Sequence, residues 1–179
     1  MRTASNRRIG GPAGLALGVL AAALVAGPVS GAGAPDHFGP FDQEYSFIGF
    51  ECDGFEVLIE GTGTDEYTIW YDESGEPEKI LWRARYPHDT LTNLSTGKSI
   101  VNRGMFQEWL IRDPATGDFT KTITGFRYMV NGQGAGVIFR DVGRIEYGDL
   151  EQTIVTWQAG KHELAFEAQI KEAFCGELG

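Results

Sequence analysis

Two cysteines, three histidines and three methionines are all that this chain of 179 residues carries of those types, and the scarcity excludes much. His37, His88 and His162 stand far apart, and none has a cysteine or a second histidine at ligand spacing. That rules out a zinc-type set read from sequence. No serine sits in a Gly-x-Ser-x-Gly elbow, so the usual hydrolase signature is missing too. Basic residues are also short, with 15 Lys and Arg against 25 Asp and Glu. An acidic balance of that size works against nucleic acid or anionic lipid as a partner. Beyond residue 32 no apolar run approaches the roughly twenty residues a bilayer-crossing helix needs.

Three further patterns lack a necessary part. Gly132-Gln133-Gly134-Ala135-Gly136 is rich in glycine, but the strand-like Val137-Ile138-Phe139 follows it. A phosphate loop needs a helix there, whose first amides meet the anion. Asp72, Glu73, Glu76 and Glu78 surround Gly75 but miss the spacing of a calcium loop, and read as a solvated turn. His88-Asp89 sets a base beside a carboxylate at a strand break, but neighbours in extended chain point apart. The sequence therefore supplies no catalytic set, no metal ligands and no cofactor motif. Asn93-Leu94-Ser95 fits the glycosylation triplet, which a bacterial chain would leave unmodified.

What is present begins with the front of the chain. Arg2, Arg7 and Arg8 precede an apolar run from Ala13 to Ala26, and Ser30-Gly31-Ala32 offers small side chains for a peptidase. Residues 1–32 read as a signal peptide cut after Ala32, an export address rather than an anchor, since the run is too short to span. The residues after Arg7-Arg8 are Ile9-Gly10-Gly11, which favours the general secretory route over the twin-arginine one. Losing those three arginines takes the formal charge from −10 to −13. The product is an acidic, secreted or cell-envelope protein with no transmembrane segment left. All its aromatic residues lie in the part that remains, so that part has the means to form a core.

Cys52 and Cys175 are the only cysteines, and in an exported chain they imply one disulfide. Closing so long a loop stabilises by roughly 4–5 kcal/mol in the chain-entropy account.

Most of the remainder has strand period and turn chemistry. Residues 33–50 read as an extended lead-in, with a short strand or arm at Tyr45–Phe50. Residues 51–179 form a single domain. Phe55, Val57 and Ile59 alternate with Glu56 and Glu60, Gly61-Thr62-Gly63-Thr64-Asp65 reads as a turn, and Tyr67–Tyr71 returns. Lys79–Tyr86 is a strand that Pro87-His88-Asp89 breaks, and Thr90–Ser95 resumes. Ser99–Arg112, a turn at 113–118 and Phe119–Val130 make a long hairpin; Asn131-Gly132 is the strongest turn dipeptide. Val137–Phe139, a bend at Gly143, Ile145–Tyr147 and Thr153–Trp157 follow. About eight strands in this rhythm predict a mainly-β antiparallel barrel or sandwich. Phe166, Ile170 and Phe174 match a helical stripe ended by Gly176, which predicts a C-terminal helix over 164–175 packed on the sheet.

The signatures CDGF, TIWYD, LTNLSTGKS, TGDF and DVGR resemble a group of small exported actinomycete proteins of unknown function. The plan of strands, C-terminal helix and clamping disulfide is also similar to lipocalin-like barrels, without their Gly-x-Trp signature. Neither likeness implies an activity, a cofactor or a ligand.

The long hairpin offers the one candidate site. Centring its turn on Ala115-Thr116 pairs residues whose numbers sum to 231, which sets Phe106, Glu108, Lys121 and Arg127 on one face. If that face turns inward, these four line a partly polar cavity. If it turns outward, the charges lie in water over a core of Met105, Trp109, Phe126 and Tyr128, since slipping by one residue flips every side chain. The expected function is an exported binding module for a small apolar molecule or an envelope partner. The alternatives are a barrel enzyme of cyclase or isomerase type, more demanding of the sequence, and a packed structural protein.

Overall fold

The computed structural model describes residues 34–132 and 134–179; the export segment expected at 1–32 lies outside them. Seven strands follow in order: β1 (Asp36–Cys52), β2 (Phe55–Tyr71), β3 (Pro77–Asn93), β4 (Ser99–Arg112), β5 (Phe119–Gly132), β6 (Gly136–Tyr147) and β7 (Val155–His162). One helix, α1 (Glu167–Leu178), closes the chain. Each strand pairs antiparallel with its neighbours in sequence, giving a single sheet in the order β1 to β7. The mainly-β antiparallel class with a C-terminal helix therefore holds.

The barrel does not. β1 pairs only with β2 and β7 only with β6, so the sheet stays open. Closure would need the edges to match, and they differ: β1 has 17 residues and β7 has 8. The count falls to seven because several expected interruptions are bulges inside longer strands. Gly61-Thr62-Gly63-Thr64-Asp65 runs through the middle of β2, paired on both sides. Its glycines answer to packing rather than turning: a Cβ on Gly63 would stand 2.5 Å from the Tyr86 ring. Pro87-His88-Asp89 likewise stays in β3, at a register shift between Tyr86 and Asp89. Val137–Phe139 and Ile145–Tyr147 are one strand through Gly143, and the lead-in is the edge strand β1, continuous to Cys52.

The hairpin β4–β5 has the register expected along most of its length, with Phe106 opposite Gly125, Glu108 opposite Ile123 and Leu110 opposite Lys121. Its turn closes where Asp113 and Asp118 bond, with Gly117 in the left-handed region.

One face of the sheet is covered, and α1 covers only half of it. Phe174 and Leu178 pack with Val57, Leu91, Ile100 and Val130 into an apolar cluster. Burying each such side chain contributes about 1.5–3 kcal/mol. Cys52 and Cys175 are disulfide-bonded at this end, Cα atoms 5.5 Å apart. The helix lies three residues later than its stripe suggested, and Gly176 sits inside it. Asn93 explains the later end: its buried side-chain amide donates to the Leu178 carbonyl at 3.0 Å, while its Oδ1 accepts from the Ser95 and Thr96 amides.

Candidate functional site

Beyond the helix, the covered face changes character. Three rows of facing residues cross it at right angles to the strands. One runs Asp65, Ala84, Phe106, Gly125, Gly143, Gly160; its neighbour runs Tyr67, Trp82, Glu108, Ile123, Ile145, Gln158. The third carries Tyr86 and Gly104 on β3–β4 and ends with Asp141 opposite His162. In the first row the glycines of β5, β6 and β7 all have positive φ. A Cβ on Gly143 would stand 2.2 Å from the Ala159 carbonyl oxygen, so three strands approach closely where no side chain intervenes.

The hairpin face bearing Phe106, Glu108, Lys121 and Arg127 is this covered one. Phe106 and Arg127 are buried, whereas Met105 and Ile111 on the other face are half exposed. The four do not form one group, however. Lys121 Nζ lies 3.8 Å from Glu108 Oε1 and donates to the Leu150 carbonyl at 2.8 Å. Burial pushes the Glu108 carboxyl up from its usual range, opposed by the charges of Lys121 and Arg127. Phe106 stands edge-on to Trp82 at 5.2 Å between ring centroids.

Arg127 serves another structure. Its guanidinium donates to the Leu164 carbonyl at 3.0 Å and to Gln152 Oε1 at 2.5 Å, and lies 3.5 Å from Asp141. Tyr147 donates its hydroxyl to the Ala165 carbonyl at 2.5 Å. Residues 163–166 thus form a strap from β7 to α1, bolted to the sheet by these two side chains. Asp141 Oδ1 also meets His162 Nδ1 at 2.5 Å. Among the described residues, Arg127 Nε and Asp141 Oδ2 are buried without hydrogen-bond partners, so the pair is held by charge more than by hydrogen-bond geometry.

Sequence reasoning missed the polar groups at the β1–β3 end. Asp65 is buried and accepts from Trp82 Nε1 at 2.7 Å, Tyr86 hydroxyl at 2.9 Å and Gln43. Asp89, also buried, accepts from Tyr45 and from Asn102 at 3.3 Å. All five donors are neutral. Burial raises both carboxyls above their usual range, against the pull of those hydrogen bonds. Aromatic rings enclose them: Tyr67 stacks on Trp82 at 6.1 Å, and Tyr86 approaches both Tyr45 and Phe106 at 6.3 Å. Burial and the neighbouring carboxylates push the Tyr45, Tyr67 and Tyr86 hydroxyls far up, so all stay protonated. Reading Gly61–Asp65 as a turn hid Asp65, and reading Pro87–Asp89 as a break hid Asp89.

His88 is exposed and Asp89 buried, so those neighbours do point apart. Asn93 of the glycosylation triplet is 1% exposed, its side chain committed to Leu178, Ser95 and Thr96. On the other side of β1–β3, Asp42, Glu44, Thr62, Thr64, Arg85 and Pro87 rim an open cleft of about 480 Å³. Among the described residues no group of three or more His, Cys, Asp or Glu could hold a metal ion, and no helix is long and apolar enough to cross a membrane. No family model, curated protein or solved structure matches the chain.

Proposed function

We propose that this is an exported, extracytoplasmic binding module, and that its ligand is a small organic molecule with an apolar ring body and a basic nitrogen. One observation carries the reading: the covered face is divided. Under α1 it is apolar, as a core should be; beyond α1 a second apolar cluster of Phe106, Ile123, Ile145 and Tyr147 is interspersed with Asp65, Asp89, Glu108 and Asp141 against Lys121 and Arg127. Burying a carboxylate with neutral donors alone is costly where an apolar side chain would serve. A cationic ligand offsets that cost, and the faces of Tyr67, Trp82 and Tyr86 attract the same charge. Trp82, Glu108 and Leu110 keep partial exposure, so on this reading the ligand enters at the Glu108 end. Export is supported by the leader-like first 32 residues and the disulfide.

A second reading has support of its own. The raised carboxyls of Asp65 and Glu108, on adjacent rows beside Trp82, are also what an acid–base enzyme of isomerase type would use.

Native mass spectrometry of protein purified from its own host tests the first reading, together with thermal shift against benzylamine and benzyl alcohol. The amine is expected to raise the melting temperature and the alcohol to leave it unchanged, with Glu108→Gln and Asp65→Asn weakening the response. No co-purifying molecule and no preference for the amine would discard the reading.

A further inference from the structure

The two edges of the open sheet are finished differently. β1 carries the devices that keep an edge from pairing. It has Pro40, which has no N–H to offer, register shifts at Phe38/Phe41 and Ile48/Phe50, and the carboxylates Asp36, Asp42, Glu44 and Glu51. β7 has no proline and no acidic residue, and Thr156 to Lys161 are all exposed. Among the described residues nothing pairs with its outer side. Trp157 stands 47% exposed on it, with the Arg144 guanidinium 5.6 Å from its ring. The one exposed charge on β7, Lys161, is matched by Glu163 at 2.7 Å.

We infer that β7 pairs with β7 of a second copy of this chain, antiparallel about a two-fold axis at Ala159. An antiparallel pairing centred there sets Trp157 opposite Lys161 of the partner subunit and Gln158 opposite the partner's Gly160. The β6–β7 register places Glu146 beside Trp157 and Val142 beside Lys161. Each transverse row across the junction therefore reads Glu146, Trp157, then the partner's Lys161 and the partner's Val142. The lysine stem is set over the indole, and its ammonium shares with Arg144 the attraction of that ring and of Glu146, which Arg144 holds at 2.7 Å. The pattern is self-complementary, as a two-fold contact requires, and it selects a second copy over an unrelated strand. Joining a strand pair and two indoles gives an interface at the small end of the range, hence a reversible dimer. Each copy carries a formal charge of −10, or −13 without residues 1–32, so repulsion opposes association and salt relieves it.

Sedimentation equilibrium of the purified protein, over a concentration series at low and high salt, tests the inference. A monomer–dimer equilibrium that tightens with salt is expected, and Trp157→Lys, which sets like charges opposite one another, weakens it by at least about tenfold. Because Trp157 is exposed, unchanged circular dichroism separates lost pairing from lost fold. Ala159→Cys supplies the second readout. Cα atoms of facing antiparallel residues lie about 4.5–5.5 Å apart, within disulfide reach, so air oxidation is expected to link position 159 of two copies covalently. A monomer at every concentration with no such crosslink overturns the inference. So does a dimer that survives Trp157→Lys, or one crosslinked only through other positions.

Discussion

Arg127 and the backbone of Leu164 are joined by a 3.0 Å hydrogen bond from guanidinium to carbonyl, and both groups are buried. That bond fixes the strap before the helix begins, so an arginine on β5 decides where α1 sits. It also makes Arg127 a different kind of residue from Glu108, its companion on the same hairpin face.

Arg127→Ala is accordingly expected to destabilise by about 3–5 kcal/mol in urea titration, because it leaves Asp141 buried beside an empty space and frees the strap. Glu108→Gln is expected to change stability by less than about 1 kcal/mol, since burial already disfavours that charge. Replacing Arg127 and Asp141 together by Met and Leu should recover much of the first loss. Equal costs for the two single changes would mean the clasp is not built as described.

Reduction of the Cys52–Cys175 bond, which spans 123 positions, should lower stability by roughly 4–5 kcal/mol. The check is a pair of urea curves with and without reductant. Thiol titration of denatured, unreduced protein should find no free thiol.

Two groups of carboxylates set opposing pH trends. Asp65, Asp89 and Glu108 titrate above their unfolded range because they are buried. Between the unfolded and folded values the native state binds more protons, so their contribution is fully present below the unfolded carboxylate range and is lost as pH rises through the raised values. Asp72, lowered to about 2 by bonds from Ser74, Glu76 and Arg112, and Asp149, lowered by Thr153 and Ile154, act oppositely. Their contribution is present above the ordinary carboxylate range and fades as pH falls through the lowered values. Urea midpoints should therefore peak in mild acid, and Asp65→Asn should flatten the decline toward neutral pH. A midpoint climbing steadily from acid to neutral in both proteins would contradict the buried trio.

Glycines should divide into two classes. Gly143→Ala meets the Ala159 carbonyl at 2.2 Å from a φ of +137°, and should cost about 3 kcal/mol or more. Gly176→Ala, inside α1 with nothing within 4 Å, should stabilise by about 0.5–1 kcal/mol. Melting temperatures moving in opposite directions are the expected readout.

The sequence made some of this legible for identifiable reasons. The β4–β5 register could be read because a short, glycine-ended turn at 113–118 leaves little freedom in pairing. The disulfide followed from there being no third cysteine. The burial of Asp65 was illegible because Gly61 and Gly63 look like turn formers. Their actual task, making room for the Asp89 carboxylate, the Tyr45 hydroxyl and the Tyr86 ring, depends on strands 16 to 28 residues away in sequence. The Asp141–His162 pair needed the β6–β7 register, which no local pattern announces. The helix end was missed because the residue that sets it, Asn93, lies 85 positions earlier.

The meander has a last consequence, for how the molecule breaks. Because every strand pairs only with its sequence neighbours, the loop at 113–118 is the sole covalent crossing of the β4–β5 seam apart from the Cys52–Cys175 bridge. A protease that clips this exposed loop would yield two peptides still tied across the seam. The nick would pass unseen on a non-reducing gel and appear as two bands once thiol is added. The intact fold would thus tolerate a wound that its reduced form could not, the bridge serving as a suture.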